Sequence, residues 1–239
     1  MIVRTAMVLA AGLGTRMRPL TLDRPKCLVT VGGRTLLDHM LDRLVAAGVE
    51  RVVINVHAHA DLLETHLKTR RDVEFLVSDE RAQLMDTGGG VRKALPLIGD
   101  APYLHCNTDS VWEEPDGSAI RRLVAGYDPD TMDCRLMLAD MDQCLGFDSP
   151  GDFTMDADAR ITLRADRPRA PFAWTGVQVV NPALLRNEPV EPFSFKRIWL
   201  RAQEKGRLFG APLGGFWMHV GDPRARDEAE ARLARGRAP

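Results

Sequence analysis

No run of apolar residues in this chain approaches the roughly 18 that a membrane-spanning helix needs. The apolar opening, Met1 to Ala10, is too short for the core of a signal sequence and runs straight into a glycine loop. No membrane partner is therefore expected, and the reducing cytoplasm is the expected compartment. Cysteine is sparse. Cys27, Cys106, Cys134 and Cys144 are scattered, with no CxxC pair among them, so neither a zinc knuckle nor a thioredoxin-like centre has support. Cys106 and Cys134 sit in strand-like runs and read as buried thiols. A surplus of charge is missing too. The 32 Lys plus Arg against 33 Asp plus Glu leave a formal charge of -1, which removes the bulk attraction that nucleic-acid binding draws on. No GxSxG elbow occurs, so hydrolase chemistry has no foothold. Lysine occurs only at 26, 68, 93, 196 and 205, which sets Lys26, inside a conspicuous loop, apart.

What is present is the composition of an ordinary folded chain: 239 residues, 45% hydrophobic and 27% charged. That is enough to bury a large core without disulfides or metals. Thr5 to Ala10 reads as a buried strand and Ala11 to Pro25 as a loop of Gly, Thr, Arg and Pro. Leu36, Leu37, Met40, Leu41, Leu44 and Val45 recur at helical spacing, ending at Gly48. Strands follow at Arg51 to Val56, Val73 to Val77 and Tyr103 to Cys106, separated by helical stretches at His59 to Leu67 and Val91 to Leu95. The second half adds a helix at Ala119 to Ala125 and a run at Asp133 to Ala139. A hairpin of Asp152 to Met155 with Arg160 to Leu163 and a strand at Phe172 to Val180 come next. A helix at Phe195 to Gln203, a strand at Phe216 to Val220 and a helix at Arg224 to Leu233 complete the pattern. The alternation predicts a single α/β unit over residues 1–239, with a Rossmann-like, mostly parallel sheet, helices on both faces and a small second lobe.

Ala10-Ala11-Gly12-Leu13-Gly14-Thr15-Arg16 follows the first strand directly. Glycine permits a tight turn and close backbone approach, so successive N–H groups can cradle a phosphate at a strand's C-terminal end. Met17 occupies the third-glycine position of G-x-G-x-x-G, and no Walker A motif occurs, so neither a dinucleotide fingerprint nor a P-loop is written here. Arg18 also reads as a plain surface cation. Asp79 to Gly90 contains three consecutive glycines, which permit backbone contact with a flat base or ribose, and Gln83, whose amide can pair with a base edge. The same glycines also read as a helix entrance, and Gln83 as a surface residue. Asp109 ends a buried strand, where an open α/β sheet presents ligands, and its hard carboxylate suits magnesium; an N-cap is the alternative.

The stretch Leu9 to Thr21, closing with Pro25-Lys26, resembles the signature of the sugar-1-phosphate nucleotidyltransferases. The resemblance covers nearly the whole chain, strongest from residue 5 to about 110. It implies an NTP over the loop, contacted by Ala11, Gly12, Gly14 and Thr15, with Arg16 on the triphosphate and Lys26 near the α-phosphate and the attacking sugar phosphate. It also implies base or ribose contacts from Gln83, Thr87, Gly88 and Gly89, so that nucleotide binding occupies about 1–115 and the acceptor side about 116–239. Asp109 matches the family's metal-binding aspartate, and Mg2+ is the implied cofactor. A second metal aspartate belongs to a late W-x-D-V-G-T-like segment, where this chain has Trp217-Met218-His219-Val220-Gly221-Asp222. His219 therefore stands where the carboxylate is expected. It binds the metal directly, holds a metal-bound water or phosphate, or leaves the site weakened; an imidazole ligand opens the way to Mn2+ or Co2+.

On the acceptor side, Phe172-Ala173-Trp174-Thr175-Gly176 resembles the family strand beside the sugar, which points to Thr175 and Gly176. The aromatics either pack on a pyranose or fill the core. The family's Glu-Lys-Pro segment is replaced by Asp166-Arg167-Pro168, with Arg164 and Arg169 nearby, and Lys196 either faces the acceptor phosphate or lies on a helix surface. The short chain resembles the branch that joins uridylyl groups to N-acetylmuramate 1-phosphate. Transfer from GTP to mannose 1-phosphate, and a nucleotide-sugar-sensing module that has lost turnover, are the alternatives.

Overall fold

Apolar side chains alternate along the first strand, and that alternation already dictates two covered faces. In β1 (Thr5–Leu9), Ala6 and Val8 enter one core cluster while Met7 enters another. The computed structural model describes residues 2–236. A short pair, β2 (Thr30–Val31) and β3 (Arg34–Thr35), leads into α1 (Leu36–Ala46), which starts where the Thr35 hydroxyl accepts the Asp38 amide at 3.0 Å. Then come β4 (Arg51–Val56), α2 (Ala60–Leu67), β5 (Glu74–Asp79), α3 (Asp86–Ile98) and β6 (Tyr103–Asn107). The second half contains β7 (Ser110–Glu113), α4 (Ala119–Ala125), β8 (Cys134–Asp140), β9 (Cys144–Leu145), β10 (Phe153–Met155), β11 (Ile161–Leu163) and β12 (Phe172–Val180). It ends with α5 (Lys196–Glu204), β13 (Leu208–Pro212), β14 (Phe216–His219) and α6 (Pro223–Arg235).

The main sheet runs β11-β10-β12-β6-β1-β4-β5, with β8 on β12 and β13 on β8. Its first-half strands, β5, β4, β1 and β6, are all parallel, as the helix-strand alternation predicts. The second half departs from a mostly parallel sheet. β12 runs antiparallel to β6 and β8, and β10 antiparallel to β11 and β12, so the sheet as a whole is mixed. The β10–β11 connection is too short for the crossover a parallel pair requires. One face is covered by α1, α2 and α4 through residues such as Leu41, Leu63 and Leu123. The other is covered by α3 and α5 through Val91, Ala94, Ile198 and Trp199.

A smaller sheet, β7-β14-β9, stands beside the end of β6. Its register opposes Ser110 to His219, and so brings a residue late in the chain next to Asp109. α6 packs below it, capped by the Asp222 carboxylate, which accepts the Ala225 amide at 2.9 Å. No helix among the described residues is long and apolar enough to cross a membrane.

Candidate active site

Parallel strands end together, and the chain leaving β1, β4, β5 and β6 therefore surrounds one cavity of about 380 Å³. Ala11, Gly12, Gly14, Thr15 and Arg16 line one side, Thr87 another, and Lys26 and Asp109 the inner end. The loop after β1 folds back because Gly14 adopts a left-handed φ of 62 and its carbonyl accepts the Thr21 hydroxyl at 2.8 Å. A Cβ on Gly14 would lie 3.1 Å from the Lys26 Cβ, so the turn and the lysine pack as one piece. Met17 is fully buried and anchors the loop, leaving Arg16 and Arg18 exposed. Only Arg16 of the two reaches the cavity wall.

A buried polar network supports this loop and escapes sequence reading. Asn55 Oδ1 accepts the amides of Ala10 at 2.7 Å and Ala11 at 3.2 Å, while its Nδ2 donates to Glu80 Oε1 at 2.8 Å. Glu80 Oε2 accepts the Met85 amide at 3.0 Å, and the residue has no exposed surface. One amide and one carboxylate thus tie the end of β1 to the turn before α3. The available signal was a lone Asn within the apolar run of β4.

At the inner end, Lys26 Nζ donates to Asp109 Oδ2 at 2.8 Å, and His219 Nε2 lies 3.4 Å from the same oxygen. All three side chains are between 16% and 22% exposed, so the charges interact with little screening yet remain accessible. Burial pushes the Asp109 carboxyl up, but the Lys26 charge and the His219 contact outweigh it and hold the group well below the usual carboxylate range. Burial opposes a charged His219, but its hydrogen bond to Asp109 prevails and raises its pKa. His219 Nδ1 donates to the Gly146 carbonyl at 3.0 Å, which fixes the ring and turns Nε2 toward Asp109. Gly146, at φ 71, is required there, since a Cβ would meet the His219 carbonyl oxygen at 2.2 Å. Among the described residues, no group of three or more His, Cys, Asp or Glu is placed to hold a metal by itself. Asp222 does not bend back to join Asp109; it caps α6.

The second nucleotide segment is placed differently from the contacts read in its sequence. Thr87 lines the cavity, but Gln83 is exposed on the preceding turn, outside the cavity wall. Gly88 and Gly89 are buried against the stretch 191–193. A Cβ on Gly88 would sit 2.3 Å from the Phe193 ring, and one on Gly89 2.1 Å from the Glu191 carbonyl oxygen. In this structure those glycines admit another piece of chain. Asp86, just before them, holds φ 60 and lines the cavity, a left-handed backbone that costs energy outside glycine.

On the acceptor side, Thr175 is fully buried and its hydroxyl donates to the Met137 carbonyl at 2.9 Å, so that side chain is committed to the core. Gly176, at φ 85, abuts the Asn107 Cβ at the end of β6, where a Cβ would come within 3.0 Å. Trp174 packs edge-on against Trp199 at 4.7 Å and donates to the Val177 carbonyl at 3.1 Å, which places it in the core wall. Arg164 spends its guanidinium on the carbonyls of Gly151 and Arg167, at 2.9 and 2.8 Å. Lys196 opens α5 with its side chain exposed. Sequence reasoning also missed Asp152, whose carboxylate accepts the Trp174 amide at 3.0 Å. Burial raises its pKa, against that hydrogen bond and the opposing charges of Arg164, His219 and Lys196. Lys196 and His219 are thus both within electrostatic reach of one carboxyl.

A family model described as nucleotidyl transferase matches residues 5–138. The chain is 48% identical to the N-acetylmuramate alpha-1-phosphate uridylyltransferase of Caulobacter vibrioides, covering 97% of each. It is 28% identical, over 92% of its length, to the catalytic subunit beta of the mannose-1-phosphate guanylyltransferase of Drosophila pseudoobscura pseudoobscura, of which it spans 59%. In architecture it matches the inositol-1-phosphate CTP transferase of T. maritima with a TM-score of 0.79 at 20% identity, over 100% of this chain and 99% of that one.

Proposed function

The chain belongs to the sugar-1-phosphate nucleotidyltransferase family, and from that premise we propose that it transfers the uridylyl group of UTP to N-acetylmuramate 1-phosphate, releasing pyrophosphate. One observation carries the assignment of the chemistry: Lys26 and Asp109 meet at the inner end of a cavity whose other side is the glycine loop. The choice of nucleotide and sugar rests on the 48% identity to the uridylyltransferase.

The reaction needs no protein nucleophile. A phosphate oxygen of the sugar phosphate bonds to the α-phosphorus of the NTP as the bond to the pyrophosphate oxygen breaks. Loop amides and Arg16 hold the triphosphate, and Lys26 answers the negative charge developing at the α-phosphate. Its ammonium has three N–H donors. One is spent on Asp109, which leaves two for phosphate oxygens and keeps the cation on station before substrate arrives. Lys196 meets the acceptor phosphate.

The donor set fits a divalent ion that takes its remaining ligands from phosphate and water: the charged Asp109 carboxylate would hold it, joined by His219 Nε2 once that nitrogen gives up the proton it donates to Asp109. When bound, Mg2+ supplies charge neutralisation on the phosphates, and the imidazole also suits Mn2+ or Co2+. The four unpaired thiols support a reducing, cytoplasmic setting.

The test is pyrophosphate release with each of four NTPs and the 1-phosphates of N-acetylmuramate, N-acetylglucosamine, glucose and mannose, run with magnesium, manganese or cobalt and after chelation. UTP with N-acetylmuramate 1-phosphate should give the highest kcat/KM, and chelation should abolish it. A preference for GTP with mannose 1-phosphate would overturn the substrate assignment. Silence in every combination would overturn turnover itself in favour of a sensing module.

A further inference from the structure

Two stretches 108 residues apart in sequence meet at one hydroxyl: the Phe195 amide donates to Thr87 Oγ1 at 2.9 Å. Thr87 lies in the first turn of α3 and lines the cavity. Phe195 immediately precedes Lys196, the first residue of α5. Backbone bonds tighten the same seam, with the amides of Gly88 and Gly89 donating to the Phe193 carbonyl at 2.8 and 3.1 Å. The Phe195 ring is buried and stands edge-on to His105 at 4.6 Å, so the start of α5 is held on both sides. A hydroxyl offers one proton and two lone pairs. The Phe195 amide uses one lone pair, and among the described residues the Thr87 proton is given to no acceptor.

We propose that Thr87 is a positioning residue that couples the nucleotide to the acceptor: its proton bonds the bound nucleotide while its lone pair keeps the Phe195 amide, fixing Lys196 for the acceptor phosphate. This rests on the nucleotidyl-transfer reading above. The coupling needs no moving lid, because one atom serves both substrates. A side chain without a hydrogen-bonding oxygen at position 87 would release the Phe195 amide and let the first turn of α5 fray.

The experiment is a double-substitution cycle on the full chain: Thr87→Val, Lys196→Met and both together, with Thr87→Ser as the rescue and Thr87→Ala replacing Val if that variant melts early. Steady-state KM for the sugar 1-phosphate is read at saturating UTP, and UTP binding alone is read by calorimetry. Thr87→Val should raise the sugar-phosphate KM by about tenfold, the effect of one lost hydrogen bond. Ser should restore it. In the Lys196→Met background the added loss should be less than about twofold, since the cation being positioned is already gone. UTP binding to Thr87→Val should weaken, and to Lys196→Met it should not change. Fully additive losses, or a wild-type sugar-phosphate KM in Thr87→Val, overturn the coupling and leave the transfer reading intact. A wild-type KM in Lys196→Met overturns the placement of the acceptor phosphate, and the coupling with it.

Discussion

Arg16 and Lys26 carry the same charge in the same loop, yet their surroundings differ. Arg16 is exposed and has no side-chain hydrogen bond among the described residues, whereas Lys26 pairs with Asp109. Their removal should therefore separate activity from stability. Both Arg16→Ala and Lys26→Met should lower kcat/KM by about 10²-fold or more, each removing charge that stabilises the transition state. Only Lys26→Met should lower the melting temperature, because Asp109 then keeps a largely buried charge without its main partner, at a cost of about 1–3 kcal/mol. Parallel thermal melts and initial rates on the two variants check both halves of that statement. At this scale Arg16, Lys26 and Asp109 are legible in sequence because a glycine loop and a strand end announce them. The Asn55–Glu80 bridge is not, because an amide at a strand end looks the same whether it faces solvent or accepts two amides. The committed hydroxyl of Thr175 is hidden for a similar reason, since its partner is a backbone carbonyl on another strand.

Among the elements, α3 separates furthest from its sequence. Helical periodicity marks only its middle, and the three glycines in its opening turns read equally as contacts to a base or as a helix entrance. The helix runs from Asp86 to Ile98; Gly88 and Gly89 are where the stretch 191–193 presses in, and Gly90 faces Glu80 and Asn55. Gly89→Ala should lower stability by about 1–3 kcal/mol despite alanine's better helix propensity, because its Cβ would meet backbone that cannot rotate away. Gly12→Ala is the control: a Cβ there meets nothing within 4 Å, so its melt should match the parent even if phosphate approach suffers. A Gly89→Ala melt equal to that of the parent would show that the seam yields. β7 and β13 went unread for a different reason. β7 is four residues long, and β13 contains Gly210 and ends at Pro212, two residues that weaken any strand signal.

Across the whole molecule, the parallel half follows from the sequence, whereas the antiparallel half follows only in its β10–β11 hairpin, because its other strands take their order from partners distant in the chain. A buried chain of donors crosses that join. Trp199 Nε1 donates to Gln178 Oε1 at 2.8 Å, and the Gln178 amide donates to His105 Nδ1 at 3.2 Å. The proton then sits on His105 Nε2, which has no hydrogen-bond acceptor and lies among aromatic rings. Burial lowers the His105 pKa to about 3. Between that value and the unfolded value near 6.5, the unfolded chain binds a proton that the folded chain refuses, so stability rises with pH across that window and falls on acidification. His105→Phe should remove up to about 1.4 kcal/mol per pH unit from that slope. Urea unfolding at pH 4.5, 5.5 and 7 checks it; parallel slopes in parent and variant would sink the argument.

The small sheet that opposes Ser110 to His219 has a consequence for how each molecule comes into being. Asp109 and His219 are brought together by the pairing of β7 with β14, extended by the Val220 amide, which donates to the Asp109 carbonyl at 2.8 Å. On the ribosome, the glycine loop and the four parallel strands beneath it emerge first, and their contacts are closer in sequence. The paired carboxylate and imidazole cannot form until residue 219 has left the tunnel. The glycine loop, Lys26 and Asp109 are therefore all synthesised well before His219, the late partner that completes the contact at Asp109.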